Sequence, residues 1–146
     1  MQPTLELVSE LAKKSGLVWI EFGGRTQAVW HELVDDAVCV VGDGAEQPLP
    51  DVHDGDTVTL LLRAKTNRQL AASVGATTET VAPGSPLWDS VTAALKAGRL
   101  NLPDMDTAVG RWARESRVLR FVPFEPVTLA ADTTPWSRVS RPRLSG

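Results

Sequence analysis

The feature that most constrains this chain is a change of hydrophobic period. Between Leu17 and Pro83 apolar and branched residues recur in short, strand-length runs, whereas the segments on either side repeat with helical spacing. The runs "LVWIEF" and "TQAVWHELV" flank "GGR". Paired glycines accept positive φ without steric cost, so these runs predict a tight hairpin. Asp35 and Asp36 make the next turn, and "AVCVVG" reads as a strand apolar on both faces, suited to a barrel interior or a covered sheet. "TVTLLLRA" and "RQLAASVGATTETVAP", around the turn composition "KTN", predict two further antiparallel strands. "RVLRFVPFEPVTLA" completes a set of six, its prolines placing it at an edge or near a strand end.

The helical segments read as follows. Leu5, Val8 and Leu11 recur at three-residue spacing within residues 4–14, Leu7 and Ala12 widen the stripe, and Gly16 stops it. Lys13 and Lys14 fall in the last turn, where the helix dipole favours cations. After Pro83, Ser85 is the expected cap, Pro86 the first helical position, Leu87, Val91 and Leu95 one apolar face, and Gly98 the stop. Another helix is predicted over roughly Met105 to Ser116, with Met105, Val109 and Trp112 on one side. The expected order is helix, five strands, two helices, one strand. This is a mainly β, α+β chain whose six antiparallel strands form a small closed or nearly closed barrel. Residues 1–130 are expected to form one domain and 131–146, "ADTTPWSRVSRPRLSG", an extended tail.

Charge excludes some functions. A net charge of −3 supplies no bulk field for nucleic acid or an anionic membrane, so neither is an expected partner. The single cysteine, Cys39, cannot form an internal disulfide and is expected as a small buried hydrophobe. The N-terminus lacks the apolar core of a signal peptide, and no run approaches the ~20 apolar residues of a membrane span. A cytoplasmic location is the expectation. No nucleophile elbow, phosphate-cradling Gly-rich loop or C-x-x-C is present to support a hydrolase or P-loop role.

Five groups of residues are weighed as candidates for a site. His31 alternates with Gln27, Val29 and Leu33 on one face of its run, while Ala28, Trp30, Glu32 and Val34 take the other. If Trp19 and Trp30 face each other, they form a cross-strand aromatic pair. Arg63, Lys65 and Arg68 concentrate positive charge at one turn and read either as an anchor for phosphate or carboxylate or as a solubilising turn. Arg111, Arg114 and Arg117 read as a helical stripe paired to acids. His53 lies among Asp51, Asp54 and Asp56, but such spacing in an irregular loop fixes no metal geometry, and no metal is expected.

The element order resembles that of the split-barrel family of flavin-binding proteins, best known through the pyridoxamine 5′-phosphate oxidases. The similar segments are "AVWHELVDDAVCVVG" at 28–42, then "TLLLRAKTNRQLAASVGATTETVAPGSPLWDSVTAAL", "RLNLPD" and "RWARESRVLRFVP", together spanning roughly residues 5 to 125. The resemblance implies a six-stranded antiparallel split barrel and a homodimer whose cofactor groove runs beside the second strand. It implies FMN or a deazaflavin as cofactor, with oxidoreductase chemistry on a small molecule. Gln27, Trp30, His31, Arg63, Lys65 and Arg68 are the implied cofactor-side residues; no catalytic side chain is implied. One segment departs from the family. Flavin-phosphate binders carry Ser and Lys/Arg after the third strand, whereas "GDGAEQPLPDVHDGD" at 42–56 has no Lys or Arg. Either the phosphate is met by Arg63, Lys65 or Arg68, or the chain is a cofactor-free, small-ligand-binding or structural member of the fold.

Overall fold

The computed structural model describes residues 4–64, 69–99 and 107–129. Helix α1 (Leu5–Lys14) precedes five strands: β1 (Leu17–Phe22), β2 (Arg25–Trp30), β3 (Glu32–Val34), β4 (Ala37–Gly42) and β5 (Thr57–Arg63). Strand β6 (Leu70–Thr80), helices α2 (Trp88–Ala97) and α3 (Ala108–Glu115), and strand β7 (Arg117–Leu129) follow. All strand pairs are antiparallel, in the order β2-β1-β5-β6-β7-β4-β3. The two edge strands of this sheet, β2 and β3, are joined by His31 alone. A single residue cannot bridge the edges of a flat sheet of seven strands, so the sheet is curled on itself like a barrel wall.

Among the described residues the expected count of six strands is therefore corrected to seven. "TQAVWHELV" is one run by pattern, but Arg25–Trp30 pairs with β1 whereas Glu32–Val34 pairs with β4. The strand changes neighbours at His31 without breaking its alternation. The expected GGR hairpin forms with Gly23 at φ 61° and Gly24 at φ 78°. Asp35 and Asp36 make the matching turn between β3 and β4 at φ 50° and 63°, a conformation that Asp tolerates better than most residues.

Two apolar clusters share β4, which is buried throughout. Val38 and Val40 face the barrel interior with Val18, Ile20, Leu60, Leu62, Val74 and Phe121, closed at one side by Val8 and Ala12 of α1. Cys39 and Val41 face the other way, under Trp88, Val91 and Leu95 of α2 and Trp112 of α3. That double burial is why the run is apolar on both faces.

Two local expectations shift. Ser85 does not cap α2: Leu87 holds that position, and Ser85 instead accepts the Trp88 N–H on its carbonyl, one turn earlier. Strand β7 is internal rather than at an edge, lying between β6 and β4. However, its ladder with β4 ends at Phe121, so Pro123 and Pro126 fall where only β6 is paired and the missing N–H costs no second ladder. The tail 131–146 lies outside the described residues, as do Lys65, Arg68 and Met105.

Candidate functional site

The acid-rich loop after β4 uses its carboxylates internally. The Glu46 side chain is 2% exposed and accepts hydrogen bonds from Arg111 (3.1 Å), from Trp112 Nε1 (3.1 Å) and from Arg99. Burial alone would raise its pKa, but the Trp112, Arg99 and Arg111 hydrogen bonds and the Arg99 charge outweigh it and hold the carboxyl below its ordinary value. Asp43 accepts from Arg117 Nε at 2.6 Å, while the other two nitrogens of that guanidinium donate to the Val52 and Pro50 carbonyls, each at 2.8 Å. Two arginines of the predicted stripe, Arg111 and Arg117, are thus paired to acids, though to acids more than sixty residues away.

The same loop occupies the polar atoms of β2. Gln27 Nε2 donates to the Pro48 carbonyl. The Gln47 side chain accepts from the Trp30 N–H at 2.9 Å and donates to the Trp30 carbonyl at 3.0 Å. An amide side chain here replaces a neighbouring strand at the point where β2 gives way to β3. The Arg99 guanidinium lies 4.7 Å from the Trp30 ring centroid. Trp30 and Trp19 are not directly opposed; the register sets Trp30 against Leu17 and Trp19 against Ala28, so the expected aromatic pair is replaced by a diagonal relation.

His31 is 4% exposed. Its Nε2–H donates to the Ala12 carbonyl at 2.8 Å, satisfying one of the last carbonyls of α1. Burial, only partly offset by that bond, holds its pKa below the ordinary histidine value. A cavity of about 330 Å3 adjoins it, lined by Lys13, Lys14, Ser15, Gly16, Glu32 and Leu33.

A larger groove of about 640 Å3 lies across the α1–β1 turn, lined by Lys14, Ser15, Gly16, Leu17, Trp19, Arg63 and Ala64. Trp19 faces outward because Val18 and Ile20 face the core, and the β1–β5 register that pairs Trp19 with Leu61 brings Arg63 alongside. The Arg63 guanidinium covers the Trp19 ring at 4.6 Å. Of the predicted residues that are described, Arg63 lines this groove, His31 lines the smaller cavity, and Gln27 and Trp30 line neither. Trp19 joins Arg63 through the pairing of β1 with β5, which the sequence alone does not reveal, and Lys14 at the end of α1 lines the same groove.

The remaining candidates are quiet. Burial pushes the Cys39 thiol pKa up to about 12, so it is no nucleophile. His53 is largely exposed, its Nδ1 3.8 Å from Asp56. Among the described residues no group of three or more His, Cys, Asp or Glu is placed to hold a metal, and no helix is long and apolar enough to cross a membrane.

By sequence, no family model matches the chain, and comparison with curated proteins finds no match. By structure, it is similar to the heme storage protein HutZ of Vibrio cholerae, at 13% identity, with 88% of this chain and 95% of that one covered and a TM-score of 0.57. A pyridoxamine 5′-phosphate oxidase-like protein of Listeria innocua aligns at 10% identity over 86% and 97% of the two chains, TM-score 0.57. An FAD-binding protein of Mycobacterium smegmatis aligns at 14% identity over 86% and 94%, TM-score 0.54. The curled antiparallel sheet with its added helices is thus the split-barrel fold of the pyridoxamine 5′-phosphate oxidase-like proteins.

Proposed function

We propose that this chain binds a flat, anionic, flavin-type cofactor, FMN or a deazaflavin, in the groove of Trp19 and Arg63, and acts as a homodimeric oxidoreductase on a small molecule. The observation that carries this reading is the guanidinium held over an indole inside a groove of about 640 Å3, within the range of cofactor sites. A planar guanidinium offers a stacking face and a fork of donors, and Lys14 adds a second cation at the rim. Lys65 and Arg68, next in sequence and outside the described residues, add positive charge to the proposed set. The loop 43–56 does not fit a phosphate, because Asp43 and Glu46 spend their charge on arginines and themselves repel an anion. Gln27 and Trp30 are held by that loop and lie outside the groove's lining.

A bound flavin supplies hydride chemistry of its own, so the chain need only bind, orient and shield it, which accords with the absence of a legible nucleophile. The second reading, a cofactor-free ligand-binding protein of the same fold, is favoured by the engagement of the Gln27 and Trp30 polar atoms with the loop. Titration with FMN, FAD and a deazaflavin, followed by cofactor and tryptophan fluorescence, separates the two. Binding at micromolar concentration, weakened about tenfold or more by Trp19→Ala and by Arg63→Ala, is expected, since each removes a stacking or charge-assisted contact. No binding at tens of micromolar would defeat the flavin reading, and a Soret band in the purified protein would replace it with a tetrapyrrole.

A further inference from the structure

We propose that residues 130–146 dock back on their own chain as a strap across the outer face of β6, β5 and β1, seating Trp136 at Leu17 and covering the mouth of the Trp19–Arg63 groove. The three large hydrophobic residues exposed among the described residues, Leu17, Leu70 and Phe124, all lie on this face. Leu70 pairs with Arg63, and Leu17 falls level with Arg63, two positions on from the Trp19–Leu61 pair. Phe124 lies across Gly75, which pairs with Thr59 and through it with Glu21. Val18, Ile20, Leu60 and Val74, which alternate with these positions, fill the core instead. Exposed apolar side chains gathered on one face, rather than scattered singly, mark an interaction surface.

The occupant follows from where the described chain ends. Leu129 pairs with Ala72, which pairs with Leu62, so β7 stops at the Leu17 end of the face. From there to β1 is three strand spacings, about 14 Å. The chain from Leu129 to Trp136 spans up to about 23 Å, enough to set the indole at Leu17 with slack. The order of charges along the tail matches the order of groups on the face. Asp132, the only acid beyond Leu129, comes after about 10 Å of chain, and Arg63 is two strands away. Arg138 and Arg141 follow Trp136, and the exposed Glu21 lies about 13 Å along β1 from Leu17. The tail holds three of the fifteen basic residues and one of the eighteen acids, a net +2 against −5 for the rest of the chain. Long-range attraction therefore holds it to its own body. A ligand entering the groove has to displace the strap, and its apparent affinity falls with the fraction of chains left open.

A spin label tests the docking on the full chain. Ser140→Cys supplies one reactive site, because Cys39 is fully buried and its thiol pKa is pushed up to about 12. With a nitroxide there, the 15N-labelled amides of Leu17 and Trp19 are expected to lose most of their intensity. Trp136→Ser, which removes the anchor without touching the described core, is expected to restore them. Broadening that falls off evenly around Leu129 and ignores Trp136→Ser overturns the strap. Broadening of a 15N chain by spin-labelled 14N chains mixed with it gives the face to a second copy's tail and overturns the intramolecular docking. The competition rests on the flavin reading of the groove: FMN is expected to bind about threefold or more tightly to Trp136→Ser than to the wild type. Equal binding to the two overturns the covering of the groove. A chain that binds no FMN defeats the flavin reading alone, and the spin label still decides the strap.

Discussion

Glu46 and His31 show how differently a buried ionisable residue can sit in this protein. Glu46 is an anion surrounded by donors. Removing it takes a shared carboxylate from Arg99, Arg111 and the Trp112 N–H, so Glu46→Ala is expected to cost about 1–3 kcal/mol in denaturant unfolding. Its folded pKa lies below the ordinary 4.5, so the proton binds the unfolded chain more tightly. The stability Glu46 contributes is complete above that value and disappears as pH falls through the folded pKa. His31 adds an earlier acid limb. It titrates near 6.5 in the unfolded chain and lower when folded, so the stability it contributes is full above 6.5 and is lost as pH falls through the folded pKa. Thermal unfolding followed from about pH 7 to pH 5 is expected to show this loss in the wild type and a flatter profile in His31→Gln, which has nothing to titrate there. A profile unchanged by the substitution would remove His31 from that role.

At the scale of elements, the informative place is the exchange of partners between β2 and β3. The sequence shows the hairpin glycines, the doubly apolar β4 and the helical faces, because each is written in local period or turn chemistry. It does not show the break at His31, because "TQAVWHELV" alternates straight through it and the change is one of neighbours. Nor does it show that the acids after β4 are counterions, since their arginines are supplied from α3, from β7 and from the residue after Gly98. Gln47 is the element that makes the exchange work. Its side chain pairs with both polar groups of the Trp30 backbone and also donates to the Val41 carbonyl at 3.2 Å. Gly42 lets the loop come this close: a Cβ there would lie 2.5 Å from the Gln47 carbonyl and 2.3 Å from the Leu49 side chain. Gln47→Ala leaves those strand groups without partners, and a loss of about 1–3 kcal/mol is expected, with faster hydrogen exchange at the Trp30 amide. Unchanged exchange there would show that another group takes over.

At the scale of the molecule, two clusters back onto β4, and the loop that leaves β4 is ion-paired to Arg111 of α3, to Arg99 just beyond α2 and to Arg117 of β7, so barrel and helical layer stabilise each other. The outer face of β1 and β5 is left partly exposed. Leu17 is 43% exposed there, beside Trp19 and Arg63 of the proposed ligand groove. If the proposed homodimer uses this face, the groove becomes a seam between subunits, and ligand and partner compete with water for the same surface. Binding to the dimer alone would then pull the association equilibrium by mass action. Leu17→Glu places a charge on an exposed strand position without disturbing the core. It is expected to yield a monomer by light scattering at concentrations where the wild type is a dimer, and to weaken ligand binding in parallel. Added ligand should restore part of the dimer. A wild-type monomer at tens of micromolar, or a Leu17→Glu dimer of unaltered strength, would move the interface to another face and leave the groove a one-subunit site.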